Sequence, residues 1–393
     1  MDDLQRAIAD RLRAHADAAN PPQGLDERIR TGVRVRQRRR RLTELAGVVA
    51  AVALVITIPA IVRVDTGTTR PAAPPTAGPA GLAVDRIVSV PRALPGGAVF
   101  GALAVGPDGT IVGHGVAGGG KGRSDGKVWR SGPAGGAPRT MAGAPGLWAA
   151  HTDGRRVVWP QNTDKRHDYQ LMCADPGSPP RQLGDQGVTS TEYSFTADEG
   201  VVVWNDETDG APHTVWAARS CDERPRAVFH GGSGVAFAYP DVVVAGERRT
   251  GVFDGSLRQV DVESGAAVPL RLKGSPAGLA GREDAVFAAN GRMLAWADGR
   301  AITLVDRRSG AARRLPVRLP HSSGLNGEIT RLTAGDGVLV YSTEPQDGDP
   351  NTARSVVYDL RTARSYSLTG EAYAAGDRLM WRDGAFYRVG RVR

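Results

Sequence analysis

Ser233 lies in Gly231-Gly232-Ser233-Gly234-Val235, the segment nearest to the G-x-S-x-G elbow that exposes a serine nucleophile at a strained strand-to-helix turn. Val235 stands where the elbow needs its second glycine, so the segment reads as a loop between repeats. Gly115 to Gly122, GVAGGGKG, follows a phosphate loop as far as Lys121. Gly122 then replaces the serine or threonine that would bind magnesium, which leaves a hairpin loop. Asn205-Asp206-Glu207-Thr208-Asp209-Gly210 alternates oxygen side chains before a glycine as a calcium loop does, but its twelfth position is Trp216 instead of glutamate. It reads as a solvated hairpin tip, and so does Glu344 to Asp349, EPQDGD. His114, His151, His167, His213, His230 and His321 are scattered, with no pair at metal-binding spacing. The expectation is a chain with no cofactor, no metal and no catalytic residues, unless side chains from separate repeats converge.

Cys173 and Cys221 are the only cysteines and are 48 positions apart. On an exported domain they can pair, closing a loop worth roughly 3–4 kcal/mol if unstrained. The alternative is two separate buried thiols. Without a paired histidine motif they do not form a zinc site.

Export is itself legible. Leu45 to Val62, LAGVVAAVALVITIPAIV, carries no charge, and its helix would cover roughly 27 Å of a hydrocarbon core about 30 Å thick. Just before it, six of eight residues are arginine: Arg34, Arg36, Arg38, Arg39, Arg40 and Arg41. Such residues stay on the cytoplasmic side, so the N-terminus is expected inside and residues 63–393 outside. Their other expected contact is anionic lipid. A cleaved signal peptide is the rival reading, because Pro59 and Ala60 sit near the end of the apolar run. Forty-four preceding residues make too long an n-region, and an uncleaved signal anchor fits better. Residues 1–44 hold eleven arginines against seven acidic residues, and residues 63–393 hold 39 basic against 35 acidic. No outer segment is a nucleic-acid patch, so no nucleic-acid partner is expected.

The elements follow from period and punctuation. In residues 1–44, Leu4, Ile8 and Leu12 recur at helical spacing, as do Leu25, Ile29 and Val33 after Pro21-Pro22. These short helices need a partner or the membrane helix to persist, so residues 1–41 are a candidate site for a cytosolic partner. Residues 63–83 are rich in proline, alanine and glycine, with Pro71, Pro74, Pro75 and Pro79. They form a semi-rigid stalk that reaches roughly 50 Å.

Residues 84–393 repeat. Seven turns, Asp108-Gly109, Asp153-Gly154, Glu199-Gly200, Pro240-Asp241, Asn290-Gly291, Asp336-Gly337 and Gly376-Asp377, are each followed by an apolar run. Their spacing of about 40–50 residues matches one four-stranded propeller blade. Trp159, Trp204, Trp296, Tyr341 and Trp381 fall four or five residues after a turn, where a second strand would pack them between sheets. Pro180 to Gly184, Pro225 to Val228 and Ala363 to Leu368 suit outermost strands. The last unit, residues 371–393, supplies only three strands. Arg86 to Ala93, RIVSVPRA, can complete it and close the ring, removing two exposed edges. The expected fold is all-β, a propeller of about seven four-stranded blades, preceded by a cytosolic helical segment (1–44), one transmembrane helix (45–62) and a stalk (63–83).

Gly106-Pro107-Asp108-Gly109-Thr110-Ile111-Val112 and Asp153-Gly154-Arg155-Arg156-Val157-Val158-Trp159 resemble the turn and second strand of TolB-like and WD-repeat-like propellers. None of the units carries the Trp-Asp dipeptide of true WD repeats. The resemblance implies a ring whose faces bind other molecules and implies no particular chemistry. The first 62 residues are similar to those of actinobacterial single-pass membrane proteins, some of which resemble regulators that hold a sigma factor at the membrane. The His/Cys zinc motif of the better-defined anti-sigma domains is absent, since this segment has only His15 and no cysteine.

The expectation is a membrane-anchored extracytoplasmic propeller acting as a non-enzymatic binding module for an envelope protein or ligand. A transmembrane regulator of anti-sigma type is the first alternative. A propeller hydrolase or lyase is the second.

Overall fold

The computed structural model describes residues 78–393 except 80, 117–123, 163–168, 185–194, 207–212, 250–251, 274–278, 280–284, 298–300, 318–328 and 344–352. The N-terminal segment, the arginine cluster, the apolar run of 45–62 and most of the stalk lie outside the described residues. Among the described residues no helix is long and apolar enough to cross a membrane.

Seven antiparallel four-stranded sheets form a propeller. Blade 1 begins with the strand Val99–Val105, blade 2 with His151–Thr152, blade 3 with Phe195–Asp198 and blade 4 with Gly232–Ala238. Blades 5, 6 and 7 begin with Val286–Ala289, Ile329–Ala334 and Ala372–Ala375. Every one of the seven turns read from sequence joins an innermost strand to a second strand. The fourth strand of blade 7 is Val84–Pro91, paired with Phe386–Val392 through Ser89 opposite Arg388 and Val90 opposite Tyr387. The ring therefore closes with strands from both ends of the domain, as the pattern at Arg86 to Ala93 had suggested. The strand lies two residues earlier than expected, because after Pro91 the chain turns inward to bury Leu94.

Second strands are buried on both faces, which explains their unbroken apolar runs. Val201–Asn205, Met293–Ala297 and Val338–Thr343 are buried throughout. The hydrophobic residues gather into seven clusters, one at each junction between adjacent blades. Trp159, Trp204, Trp296, Tyr341 and Trp381 are all buried, and each sits in the core shared with the preceding blade. Blades 1 and 4 have no aromatic in that column. Their junctions are filled differently, by Phe100, Trp129, Tyr373 and Tyr387 between blades 7 and 1, and by Phe237 with Phe229 and Tyr239 between blades 3 and 4.

Cys173, on the third strand of blade 2, and Cys221, in the turn between the third and fourth strands of blade 3, form a disulfide with Cα atoms 5.4 Å apart. It lies in the core between those blades.

Candidate functional site

Seven innermost strands converge on the axis, where small side chains leave room for an opening. The sequence supplies alanines there, such as Ala197, Ala236, Ala289, Ala334 and Ala375, each near the end of its strand. They surround an open central channel of about 680 Å³ to which every blade contributes. This is the candidate site. The repeated alanines were the signal for it, and they are less conspicuous in sequence than the aromatic column beside them.

Polar groups collect toward the ends of the channel. The innermost-to-second turns bring Asp198, Glu199, Asn290, Asp336 and Asp377 to one mouth. Burial pushes the Asp198 carboxyl up, and the neighbouring charges of Glu199 and Asp153 act the same way, against the Tyr239 amide it accepts at 3.0 Å. Near the opposite end, the Arg331 guanidinium hydrogen-bonds the Tyr373 hydroxyl and lies 5.0 Å from its ring centre. His151 also lines the wall, its ring edge-on to Phe195 at 5.1 Å.

The turn-side mouth is held open by hydrogen bonds passed from blade to blade. Thr110 Oγ1 and Arg130 Nη2 both donate to the Gly154 carbonyl, at 3.3 and 2.7 Å. Asp153 Oδ2 accepts the Gly200 amide at 3.1 Å, and Arg156 donates to the Gly200 carbonyl at 2.6 Å. Asp198 continues to blade 4 through Tyr239, and Arg307 of blade 5 reaches back to Asp241 at 2.9 Å. Asn290 Nδ2 donates to Gly335 at 2.6 Å, and the Asp336 amide donates to Gly376 at 2.6 Å. Residues whose types suggested only local turns are thus the inter-blade contacts.

The last junction uses different groups. Blade 1 has a bulge between Ala102 and Ala104 in its innermost strand. The Ala102 amide donates to the Tyr387 hydroxyl at 3.1 Å, and its carbonyl accepts from the Tyr373 hydroxyl at 3.1 Å. Tyr387 in turn donates to Glu371 Oε2 at 3.2 Å. Complete burial raises its phenol far above the usual range, so it stays a neutral donor.

Ser233 requires a correction. It is not in a loop but within the innermost strand of blade 4, buried beside His213 and Glu247. Ser233 Oγ donates to Glu247 Oε1 at 2.7 Å, and His213 Nδ1 lies 2.9 Å from the same oxygen and 3.0 Å from Ser233 Oγ. Burial acts to raise the Glu247 carboxyl, but the hydrogen bonds from His213 and Ser233 outweigh it and leave the group low. A catalytic serine must pass its proton to one imidazole nitrogen while the acid holds the other. Here serine and acid share Nδ1 and the serine bonds the carboxylate directly. The arrangement ties blades 3 and 4 together and does not activate a nucleophile.

Asn205 is also not a solvated hairpin position. It is buried, and its side chain clasps the Gly234 amide at 2.8 Å and carbonyl at 2.9 Å across the blade junction. Asp206 caps Thr214 N at 2.7 Å, while residues 207–210 lie outside the described residues. Lys121, Gly122, His167, His321 and residues 344–349 lie outside them as well. His114, which burial pushes down, bonds the Leu147 carbonyl at 3.2 Å in blade 1, and His230 lies 3.2 Å from Thr214 Oγ1 in blade 3. Among the described residues, no group of three His, Cys, Asp or Glu side chains is arranged to hold a metal.

No known family pattern matches the chain, and no curated protein matches it in sequence. Solved structures resemble it in fold. A chain in the crystal structure of the mitotic checkpoint complex is 11% identical, with 83% of this chain and 99% of that one covered and a TM-score of 0.47. A protein of Agrobacterium tumefaciens assigned as TolB is 16% identical, with 65% and 94% covered and a TM-score of 0.40.

Proposed function

We propose that this chain is a single-pass membrane protein that displays its propeller outside the cell and captures an envelope protein or small ligand through the central channel, without transforming it. The observation that carries this reading is the channel itself. Its wall combines short side chains such as Ala236 and Ala334 with larger ones such as His151, Phe195 and Arg331, and its acidic groups and Asn290 sit at one mouth, where an entering ligand would meet them first. The buried Ser233, His213 and Glu247 cluster lacks the proton path of a nucleophile, which weighs against a hydrolase.

A photoreactive residue at Thr196 in the channel wall, introduced into the full-length protein in cells, tests the proposal. Adducts from Thr196 that are missing from the same probe at Val268, which is 60% exposed on an outermost strand, are expected. The same adducts from both positions, or none from Thr196, would count against the channel as the site.

The transmembrane-regulator reading rests on the two narrow apolar stripes of residues 1–41. Deleting residues 2–33 while sparing Arg34 to Arg41 separates the readings. Loss of a co-purifying cytosolic regulator on that deletion would favour signalling.

A further inference from the structure

Charge that is nearly even in total is unevenly divided around the ring. Residues 84–285 hold 21 Lys and Arg against 23 Asp and Glu, and residues 286–393 hold sixteen arginines against eleven acidic residues. Strand direction places many of these on one face. The turn after the third strand and the turn after the first strand lie at the same end of every blade, so Arg292, Arg308, Arg361, Arg364, Arg391 and Arg393 share that end of blades 5 to 7. Arg86 joins them, because the strand Val84–Pro91 starts there. Arg292, Arg361, Arg391 and Arg393 have aspartate neighbours, at 3.4, 3.6, 2.5 and 2.7 Å. Arg86, Arg308 and Arg364 are exposed and make no ion pair with a described residue. The corresponding turns of blades 3 and 4 are mixed, with Asp222, Glu223, Asp261 and Glu263 beside Arg219, Arg224 and Arg226, and Arg219 and Arg226 both pair with Glu263.

The chain enters the propeller at this same face. Leu82 is buried in the core between blades 6 and 7, the Gly81 carbonyl accepts from Tyr366 Oη at 3.1 Å, and the Ala83 carbonyl accepts from Arg393 N at 3.1 Å. Counting back from Gly81, the apolar run of 45–62 ends fewer than twenty residues away.

We propose that the arginine sector of blades 5 to 7 docks on the anionic phospholipid headgroups of the membrane in which the chain is anchored. The proposal rests on the membrane-anchor reading above. Charge complementarity and the entry point of the tether support it. A tether that reaches at most roughly 50 Å keeps the face in the neighbourhood of the headgroups, so a weak electrostatic contact suffices to populate the docked state. Docked on that face, the propeller keeps its opposite mouth accessible.

The test uses the full-length protein reconstituted in phosphatidylcholine vesicles with or without about 40% phosphatidylglycerol. Cys173 and Cys221 are paired, so a single introduced cysteine can carry a fluorophore. Ala311→Cys places it in the arginine sector, and Val99→Cys places it at the opposite end of blade 1. With a headgroup acceptor dye, energy transfer from position 311 is expected to exceed that from position 99 in anionic vesicles only, and to fall with added salt. Replacing Arg86, Arg308 and Arg364 by glutamine should weaken the docked state about a hundredfold, at roughly fivefold per arginine. Equal transfer with and without phosphatidylglycerol, or indifference to the triple replacement, would overturn docking while leaving the anchor intact. Release of the protein by carbonate extraction would instead show that the anchor reading has failed, and the proposal with it. Preferential retention by a soluble anionic polymer, with no transfer on anionic vesicles, would assign the sector to that polymer and also overturn the proposal.

Discussion

The Tyr387 hydroxyl accepts a hydrogen bond from the Ala102 amide at 3.1 Å, which joins residues 285 positions apart at the seam where the last blade meets the first. Without it the Ala102 amide, displaced from the strand ladder by a bulge, would be buried and unpaired. Tyr373 takes the carbonyl of the same residue. Tyr387→Phe keeps the ring and its edge-on contact with Phe100 but removes the acceptor. It is expected to destabilise the propeller by about 1–3 kcal/mol, read as a shift in the urea midpoint, whereas Tyr366→Phe, which loses only a solvent-facing bond to the Gly81 carbonyl, should cost less.

The turn latches can be tested at blade 2. Asp153 Oδ2 holds the Gly200 amide, and Asp153 Oδ1 also caps its own turn at Arg155 and Arg156. Asp153→Ala should cost about 1–2 kcal/mol, in the range of a lost capping residue plus an unpaired amide. Gly154→Ala should cost more, because its φ is +92° and an added Cβ would fall 2.6 Å from the Asp108 carboxylate. Equal midpoints for Gly154→Ala and the parent in urea would refute the close packing of blades 1 and 2.

Reduction of the disulfide should loosen the junction of blades 2 and 3. Cys173→Ser with Cys221→Ser is expected to lose about 3–4 kcal/mol. The same loss should follow from reductant added to the parent. A parent whose thermal midpoint is indifferent to reductant would show that the bond does not constrain the unfolded chain.

Acid sensitivity should have a component from Glu247. Its folded carboxyl is held below the ordinary value by His213 and Ser233, so on acidification the unfolded chain takes up the proton first. The corresponding stability is present at neutral pH and is lost as the pH falls through and below the usual glutamate range. Glu247→Gln should be less stable at pH 7 and show a shallower decline on acidification. An unchanged slope would remove Glu247 from the account.

Orientation has its own check. A cysteine replacing Thr69 in the stalk should react on intact cells with a membrane-impermeant maleimide. Protection of that position until the cells are opened would reverse the orientation argued from Arg34 to Arg41.

Blade number and ring closure were legible because both are written locally. Each turn of the Asp-Gly type marks the start of a second strand, whose unbroken apolar run follows from burial on two faces. The missing fourth strand in the last unit was visible as a count, and the basic-apolar run near residue 86 supplied it. The aromatic column was equally plain in five blades. It was silent in blades 1 and 4, where the volume comes from other strands.

The sequence by itself determined which segments become strands, where they turn and how many blades they make, because hydrophobic period and turn chemistry act over a few residues. Only the tertiary structure decided which polar groups meet. Ser233, His213 and Glu247 are 14 to 34 positions apart, Asn205 and Gly234 are 29 apart, and nothing in their local spacing encodes the contact. The charge sector emerged in the same way. The basic excess of residues 286–393 is visible in the sequence, but only the alternation of strand direction set Arg86, Arg308 and Arg364 at one end of the blades.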